Sequence, residues 1–361
     1  MDRILGQPQA IELLQAALRH DHLHHAYIFH GPPGVGKFTT ARAFAAALLC
    51  ESAGVGTGQP AKACGKCRAC EMLARGSHPD EHLVTKELAR FNDDPNVRGR
   101  KLMSIPIEVL RTHLLAPVSL APRAGARKVF IVDEAELIRV DVQNVLLKTL
   151  EEPPAGTIII LVTASEHRLL STIRSRCMRV AFVPLAHDLV MQWLTERKVQ
   201  LEPPQQRWLA DFACGSFGRA QLALDHDLAA WAEEILPAVD AMGRGRYPVE
   251  LGRKMHQIVE DFAKRWVADH DGASKEAANK HAAGLMWFMI AQHARVEMAR
   301  VADGLKGTDA ADAEEALEPY LALVDAVDQA ERELGGNVNM GVAMDHAVSL
   351  MYRAMQGGVA A

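Results

Sequence analysis

Residues 31–37 carry the features of a loop that binds phosphate. Its glycines let backbone N–H groups turn inward around phosphate oxygens, and the final lysine can reach the terminal phosphates of a nucleotide. The candidate nucleotide-binding residues are Gly31, Gly34, Val35, Gly36 and Lys37. A glycine-rich turn alone is often only a turn. Here the apolar run 27–30 predicts a strand before the loop and the Ala-rich run 38–49 predicts a helix after it, which is the context that a phosphate loop requires.

The residue after the lysine departs from this pattern. A hydrolysing loop has Ser or Thr there, because the hydroxyl ligates Mg²⁺, whereas this chain has Phe38. Thr39 and Thr40 are close, but each residue turns by about 100° around a helix, so their hydroxyls should point elsewhere. Phe38 and Thr39 complete the candidate nucleotide site. Either ATP or ADP still binds weakly and Phe38 is tolerated, or the site has lost hydrolysis and its Mg²⁺; the second interpretation is favoured.

Two carboxylates end an apolar run about 100 residues later. The run 129–132 predicts a buried strand, and Asp133 and Glu134 follow it. In a nucleotide hydrolase such an Asp assists Mg²⁺ and such a Glu polarises the attacking water. The alternative is a solvated helix start, since apolar runs followed by acids are common. With Phe38 beside Lys37, the two acids are interpreted as catalytic remnants.

Four of the six cysteines have the spacing of metal ligands. Cys64, Cys67 and Cys70 are separated by two residues each, and Cys50 lies upstream. Four thiolates match a closed, tetrahedral and therefore structural Zn²⁺ site. The alternative is free buried thiols, but Gly, Lys and Arg between the cysteines are atypical of a core. The two remaining cysteines, Cys177 and Cys214, are predicted to be ordinary buried thiols.

The pattern of apolar runs predicts the fold class and its divisions. Runs at 27–30, 82–85, 129–132, 158–163 and 179–183 alternate with helical stretches, which indicates a parallel sheet with helices on both faces. The polar segment 87–100 is predicted to be an exposed insertion. After residue 184 the chain is predicted to be wholly helical. The predicted domains are 1–184, with a zinc module at about 50–79, a small helical unit at 185–235 and a larger one at 240–361.

Composition limits the class of protein. The 361 residues are 49% hydrophobic and 24% charged, which is typical of a globular protein. No apolar run suits a membrane span, and the first residues do not form a secretory signal, so a cytoplasmic location is expected. The net charge is −5, so any contact with nucleic acid must use a local patch.

The motifs, taken in order, resemble those of the bacterial clamp-loader ATPases of DNA polymerase III. The resemblance rests on the segment 4–7 (Ile-Leu-Gly-Gln), the phosphate loop, the cysteine insert, Asp133 with Glu134, the segment 144–154 (Asn-Val-Leu-Leu-Lys-Thr-Leu-Glu-Glu-Pro-Pro) and residues 175–177 (Ser-Arg-Cys). It is strong over about residues 1–220. It implies an AAA+ nucleotide domain, a helical lid, and an all-α C-terminal collar that assembles five subunits in a ring.

The resemblance also implies roles for single residues. Arg176 matches an arginine finger, which stabilises charge on the phosphoryl group in a neighbour's ATP site; outside this motif, a surface or strand-capping salt bridge would be the simpler interpretation. Thr163 matches a first sensor that bonds the γ-phosphate or water. The second sensor is normally an Arg at position 218, but this chain has Gly218 there and Arg219 one place late, which predicts that the arginine is turned away.

Phe38 and Gly218 favour one of the two subunit types in this family. The delta-prime type keeps the fold, zinc and finger but does not hydrolyse ATP, and the tau/gamma type is the motor. The chain is predicted to be a delta-prime-like stator, with an active tau/gamma-like ATPase as the alternative; a metabolic kinase would not explain residues 175–177. The implied partners are the tau/gamma and delta subunits in a hetero-pentameric ring, the sliding clamp, and primed DNA. Lys148 and Arg174 could contact DNA phosphates or could equally be solvated charges.

Overall fold

A computed structural model describes residues 4–98, 104–197, 199, 201–269, 274–305, 310–334 and 339–357. The chain divides into two compact units. The first contains Met1–Glu196 together with Cys214–Arg219, and the second contains Arg197–Ala213 together with Ala220–Ala361. None of the described helices combines the length and the hydropathy that a bilayer-spanning segment needs.

The first unit is built on a five-stranded, entirely parallel sheet with the order β2-β3-β4-β1-β5. Its strands are β1 Ala26–His30, β2 Glu81–Val84, β3 Lys128–Val132, β4 Thr157–Thr163 and β5 Met178–Ala181. The five predicted strands are confirmed to within two residues. Parallel strands end at the same edge, so residues that follow β1, β3 and β4 in sequence meet there.

Both faces of this sheet are covered by helices, as predicted. Ile28 and Phe130 pack into the hydrophobic cluster on one face, whereas Tyr27 and Phe29 pack into the cluster on the other. This alternation explains why the strands have nearly continuous apolar sequences. The covering helices of this unit are α1 Pro8–His20, α2 Lys37–Leu49, α3 Arg68–Ala74, α4 Pro95–Arg98, α5 Ile107–Leu110, α6 Ala116–Val118, α7 Val140–Glu151, α8 Ser171–Arg174 and α9 His187–Glu196.

The segment 87–100 is mostly exposed over its described part, as predicted, but it is anchored to the core at two points. A 3-10 helix at Lys86–Phe91 and the helix α4 bury the side chains of Ala89 and Val97 completely. Two small apolar residues are enough to anchor this polar segment, and the average composition concealed them. Phe91 does remain exposed. Residues 99 and 100 lie outside the described residues.

The second unit is helical, as predicted. Its elements are α10 Pro203–Ala213, α11 Phe217–Asp225 (which starts in the first unit), α12 Leu228–Met242, α13 Leu251–Asp269, α14 Lys275–Gly304, α15 Ala310–Glu333 and α16 Met340–Met355. Helices α13 to α16 each pack against the next, and α13 also packs against α16, which makes a closed four-helix bundle. The separate lid at 185–235 and collar at 240–361 stay a prediction, and α12 runs through the interval between them.

A buried lysine at the start of β3 forms hydrogen bonds to the segment 117–120 of the first unit. Lys128 is only 2% exposed, and its ammonium donates hydrogen bonds to the carbonyl oxygens of Pro117 at 3.0 Å, Val118 at 2.5 Å and Leu120. Burial lowers the pKa of Lys128, and the nearby carboxylate of Asp80 opposes this shift. The ammonium therefore provides hydrogen bonds to three carbonyl oxygens at the end of α6 and in the turn that follows it.

Replacing this lysine should destabilise the fold strongly. We expect Lys128→Met to lower the free energy of unfolding by about 3 kcal/mol, because the carbonyl oxygens of Pro117, Val118 and Leu120 lose the hydrogen bonds of a buried ammonium. Urea denaturation followed by far-UV circular dichroism would measure the change. Lys148→Met, at an exposed position on α7, is the control and should shift stability by less than about 0.5 kcal/mol. Equal effects of the two variants would contradict the structural role of Lys128.

Candidate functional site

The phosphate loop joins the end of β1 to the start of α2, as the sequence predicts. Gly34 and Gly36 have φ values of 74° and 100°, which other residues rarely adopt. Gly31 is required for a second reason: a Cβ there would lie 2.1 Å from the carbonyl oxygen of Phe182. Val35 is buried in the core. The loop therefore has the backbone shape that its sequence predicts.

Lys37 is folded back onto its own loop. Its side chain is buried, and the ammonium donates to the carbonyl oxygens of Gly31 and Pro32, both at 2.6 Å. Burial lowers the pKa of Lys37, while the carboxylates of Glu136 and Asp133 oppose that shift. The lysine and the acids after β3 are therefore near neighbours. In this conformation, however, its donors are used within the loop.

The acids after β3 form a cluster of three rather than two. Burial raises the pKa of Asp133, as do the negative charges of Glu134 and Glu136, whereas Lys37 lowers it. Glu136 was not among the predicted site residues. A 3-10 turn at Ala135–Leu137 follows β3, and a carboxylate oxygen of Glu136 accepts a hydrogen bond from the backbone N–H of Ala164 beyond β4 at 3.1 Å.

Glu134 forms an ion pair with a lysine that no sequence pattern singles out. The ammonium of Lys86, just beyond β2, lies 2.8 and 2.9 Å from the two carboxylate oxygens of Glu134. Glu134 also has a left-handed backbone, with φ 49°. Both carboxylate oxygens of Glu134 are therefore engaged by the ammonium of Lys86 in this conformation.

The side chains after Lys37 lie toward the cysteines. Phe38 and Thr39 line a cavity of about 450 Å³ together with Cys70 and Leu73 of α3, and Phe38 also packs against the core. The hydroxyl of Thr40 donates to the carbonyl oxygen of Gly36 at 2.8 Å. Phe38 and Thr39, both predicted to contact nucleotide, thus face a different neighbourhood from Lys37, because successive residues diverge around the helix.

Thr163 lies at the same sheet edge as the phosphate loop. It ends β4 and pairs in register with His30, the residue before Gly31. The side chain is buried, and its hydroxyl oxygen accepts a hydrogen bond from the N–H of Ser165 at 3.0 Å. The topology therefore places Thr163 next to the loop, as expected for a residue that senses what the loop holds.

The start of α11 rests directly on the phosphate loop. The N–H of Gly218 donates to the carbonyl oxygen of Gly34 at 3.1 Å, and a Cβ at position 218 would lie 2.8 Å from the Cα of Gly34. Only glycine fits this approach, which gives Gly218 a packing role. Burial is the main reason that the pKa of Lys37 is lowered, and the positive charge of Arg219 adds to it; that the Arg219 side chain is turned away stays a prediction.

The four predicted metal ligands converge. The sulfurs of Cys50, Cys64, Cys67 and Cys70 all lie within 4.8 Å of one another, with 3.8 Å between Cys50 and Cys67 and 4.0 Å between Cys64 and Cys70. Thiolates at about 2.3 Å around a zinc ion form a tetrahedron with edges of about 3.8 Å. The arrangement is therefore of the size that a tetrahedral ion requires.

Backbone N–H groups donate hydrogen bonds to the sulfurs of this cluster. The N–H groups of Cys64, Cys67 and Cys70 each point at the sulfur of another cysteine in the cluster, at 3.3–3.4 Å. Hydrogen bonds from the N–H groups of Lys66 and Cys67 lower the pKa of Cys64 to about 6. Such bonds stabilise thiolate, the form that binds metal. Burial raises the pKa of Cys50, and that of Cys70 to about 12, but a coordinated metal ion deprotonates such thiols. The donor set thus fits a zinc ion in geometry and in ligand type.

Arg176 lies on the surface after α8. Its guanidinium is 2.6 Å from a carboxylate oxygen of Glu151 and donates to the carbonyl oxygen of Thr172 at 2.9 Å. The neighbouring Cys177 is buried, and burial raises the pKa of its thiol to about 12. Arg176 is therefore positioned by a buried anchor and a surface ion pair, away from the groups that Lys37 contacts. The prediction that Cys214 is buried is wrong: this cysteine follows the end of α10 and is exposed.

Comparison with known proteins gives one family. Residues 6–186 match the family model described as "DNA polymerase III, delta subunit". The DNA polymerase III subunit delta' of Pseudomonas aeruginosa is 35% identical over 181 residues, 50% of this chain and 49% of the relative. The delta' subunit of Bacillus subtilis is 29% identical over 65% of each chain. The tau subunit of Bacillus subtilis is 31% identical over 66% of this chain and 39% of its own. The matches thus span less than two thirds of each relative.

Proposed function

Because the chain belongs to the family of DNA polymerase III delta subunits, we propose that it is a delta-prime-type clamp-loader subunit that does not hydrolyse ATP itself. The observation that carries the proposal is the sequence Lys37-Phe38. No hydroxyl follows the lysine to ligate Mg²⁺, and Phe38 lines the cavity toward the cysteines instead. Phosphoryl transfer depends on that metal ion to neutralise the developing charge.

The neighbouring contacts support the same proposal. For nucleotide to bind, the ammonium of Lys37 must leave the carbonyl oxygens of Gly31 and Pro32, and Gly218 already packs closely on Gly34 of the loop. The carboxylate of Glu134 is occupied by the ammonium of Lys86. We infer that ATP or ADP binds weakly or not at all, and that Asp133 and Glu134 are remnants.

We infer that the cysteine cluster holds a structural Zn²⁺. Four thiolate ligands leave no open coordination position for a substrate or water. The ion would therefore stabilise the fold and take no part in catalysis. Cys50 follows α2, and Cys67 and Cys70 lie at the start of α3. The ion would therefore fix the loop between these two helices.

We also propose that Arg176 acts as an arginine finger toward the ATP site of a neighbouring tau/gamma subunit. The pair with Glu151 is partly exposed, with side-chain exposures of 35% and 48%, and such pairs contribute at most about 1 kcal/mol. A phosphate in a dehydrated interface attracts a guanidinium more strongly. Arg176 can therefore exchange Glu151 for a phosphate when a neighbour presents one.

The remaining partners follow from this role. The proposed complex is a cytoplasmic hetero-pentamer with tau/gamma and delta subunits that places a sliding clamp on primed DNA. Lys148 is exposed on α7, whereas Arg174 is half-buried, so Lys148 is the better candidate for a contact with DNA phosphates. Such a contact would be independent of base sequence.

The isolated chain should show no appreciable ATP turnover. Its rate should equal that of the Lys37→Ala variant, because the native loop lacks a metal-ligating hydroxyl and its Glu134 is paired. Phosphate release measured over hours, with both proteins purified in parallel, provides the comparison and corrects for contaminating ATPases. Turnover that Lys37→Ala abolishes would favour the alternative, an active tau/gamma-like motor, which the proximity of Lys37 to Asp133 and Glu136 would then explain.

A further inference from the structure

A groove in the second unit has no role in the site described above. It has a volume of about 400 Å³ and lies between one face of α10 and one face of α14. Its lining positions on α14 are 289, 292, 293, 296, 297 and 300, and those on α10 are 204, 207, 208, 211 and 212. Spacings of three and four residues place each set on one side of its helix. Apolar contacts come from Trp208, Phe212, Leu236, Met289 and Val296.

One wall of this α10–α14 groove contains an unsatisfied acceptor. The amide nitrogen of Gln292 donates to the carbonyl oxygen of Asp211 at 3.2 Å, which fixes the orientation of the amide. Its oxygen is shielded from water and has no hydrogen-bond donor among the described residues. A buried acceptor without a partner is costly, so an occupant that opens this wall and brings an N–H or O–H group to Gln292 would be favoured.

Charged side chains of both signs line the groove, and Asp211 of α10 is among them. Arg300 pairs with Glu297 at 2.6 Å, and His293 contacts Asp240 at 2.7 Å. Arg207 is exposed on α10 beside Trp208, and within the described ranges no carboxylate pairs with it. An occupant that carries an acidic group would complement this arginine.

We propose that the α10–α14 groove binds an amphipathic helix of a partner protein. The partner helix would bury apolar side chains against Trp208 and Phe212, place an acidic residue beside Arg207, and direct a donor side chain to Gln292. Positions 289–300 of α14 extend over about 16 Å, which is the length of three helical turns. Two helix faces with this spacing form the kind of surface that receives a third helix.

The test begins with a display library of helical peptides selected on the full-length chain. Enriched peptides should share apolar residues at helical spacing and a nearby Asp or Glu. Fluorescence anisotropy should then show micromolar binding that Trp208→Ala abolishes and Arg207→Glu weakens about tenfold, as expected when an ion pair becomes a repulsion. Replacing the peptide's acid by Lys should restore binding to Arg207→Glu. Arg246→Glu, at an exposed arginine elsewhere in the same unit, is the matched control and should bind like the native chain.

Several outcomes would overturn the proposal. They are a selection that enriches no peptide, peptides that bind Arg207→Glu and the native chain equally, and a groove that binds only small-molecule fragments. Arg207 is exposed, so its replacement should leave the fold intact, and an unchanged melting temperature would verify this. Loss of binding in Trp208→Ala alone would not establish where the peptide binds. Recovery of binding when the charges of Arg207 and the peptide's acid are exchanged is specific to this groove. The outcome is independent of the proposed clamp-loader role.

Discussion

The purified chain is expected to contain about one zinc ion per molecule, and the Cys67→Ser variant none. The four sulfurs lie within 4.8 Å of one another, so removing one ligand opens a closed tetrahedral site. Structural zinc contributes about 10–16 kcal/mol in peptides that fold only around the ion. Even a fraction of this would exceed the effect of most single substitutions. Metal analysis by mass spectrometry gives the stoichiometry, and thermal unfolding gives the loss of stability.

The chain offers a matched control for this experiment. Cys214→Ser makes the same chemical change at an exposed cysteine outside the cluster, and it should retain zinc and the native melting temperature. Chelation of the native protein should loosen the segment between α2 and α3, including the hydrogen bond from Arg42 to the carbonyl oxygen of Leu73 at 3.0 Å. A native, fully folded protein without metal, or Cys67→Ser with a full complement of zinc, would refute the site.

Arg176→Ala should slow ATP hydrolysis at one site of the reconstituted clamp loader by about 10³-fold. Arginine fingers contribute between about 10³ and 10⁵ to kcat by stabilising transition-state charge. In the proposed complex the other ATP sites keep their own arginine fingers. The slower hydrolysis at one site should therefore appear as a missing fraction of the burst in single-turnover hydrolysis. Arg176→Lys should restore little, since an ammonium cannot make the two parallel bonds of a guanidinium.

The same variant should leave the subunit itself intact. The exposed pair with Glu151 stabilises the fold by at most about 1 kcal/mol, so the melting temperature and the assembly of Arg176→Ala should be near native. Arg139→Ala is the matched control, because that arginine also forms a surface pair, with Asp141, and is 70% exposed. An unchanged burst with Arg176→Ala, or an equal loss with Arg139→Ala, would contradict the finger.

Local patterns account for what the sequence predicted well. The strands, the phosphate loop and the convergence of Cys50 with Cys64, Cys67 and Cys70 each depend on residues that are near in sequence or at a fixed spacing. The sheet edge was predictable as well, because parallel strands bring the ends of β1, β3 and β4 together.

The missed features depend on contacts between distant residues. Lys86 meets Glu134 across 48 positions, and no spacing rule pairs a single lysine with a single glutamate. Gly218 was interpreted as the loss of an arginine, since its approach to Gly34 exists only in the folded chain. Ala89 and Val97 were hidden by polar neighbours. These omissions concern which side chains meet, whereas the order of the elements was predicted correctly.

The central claim is that this subunit acts through Arg176 and not through its own phosphate loop. One measurement separates the two: single-turnover ATP hydrolysis by clamp loaders reconstituted with the native chain, with Lys37→Ala, or with Arg176→Ala. Lys37→Ala should leave the burst unchanged, and Arg176→Ala should remove the contribution of one site. The opposite pattern, a burst reduced by Lys37→Ala and unaffected by Arg176→Ala, would contradict the account.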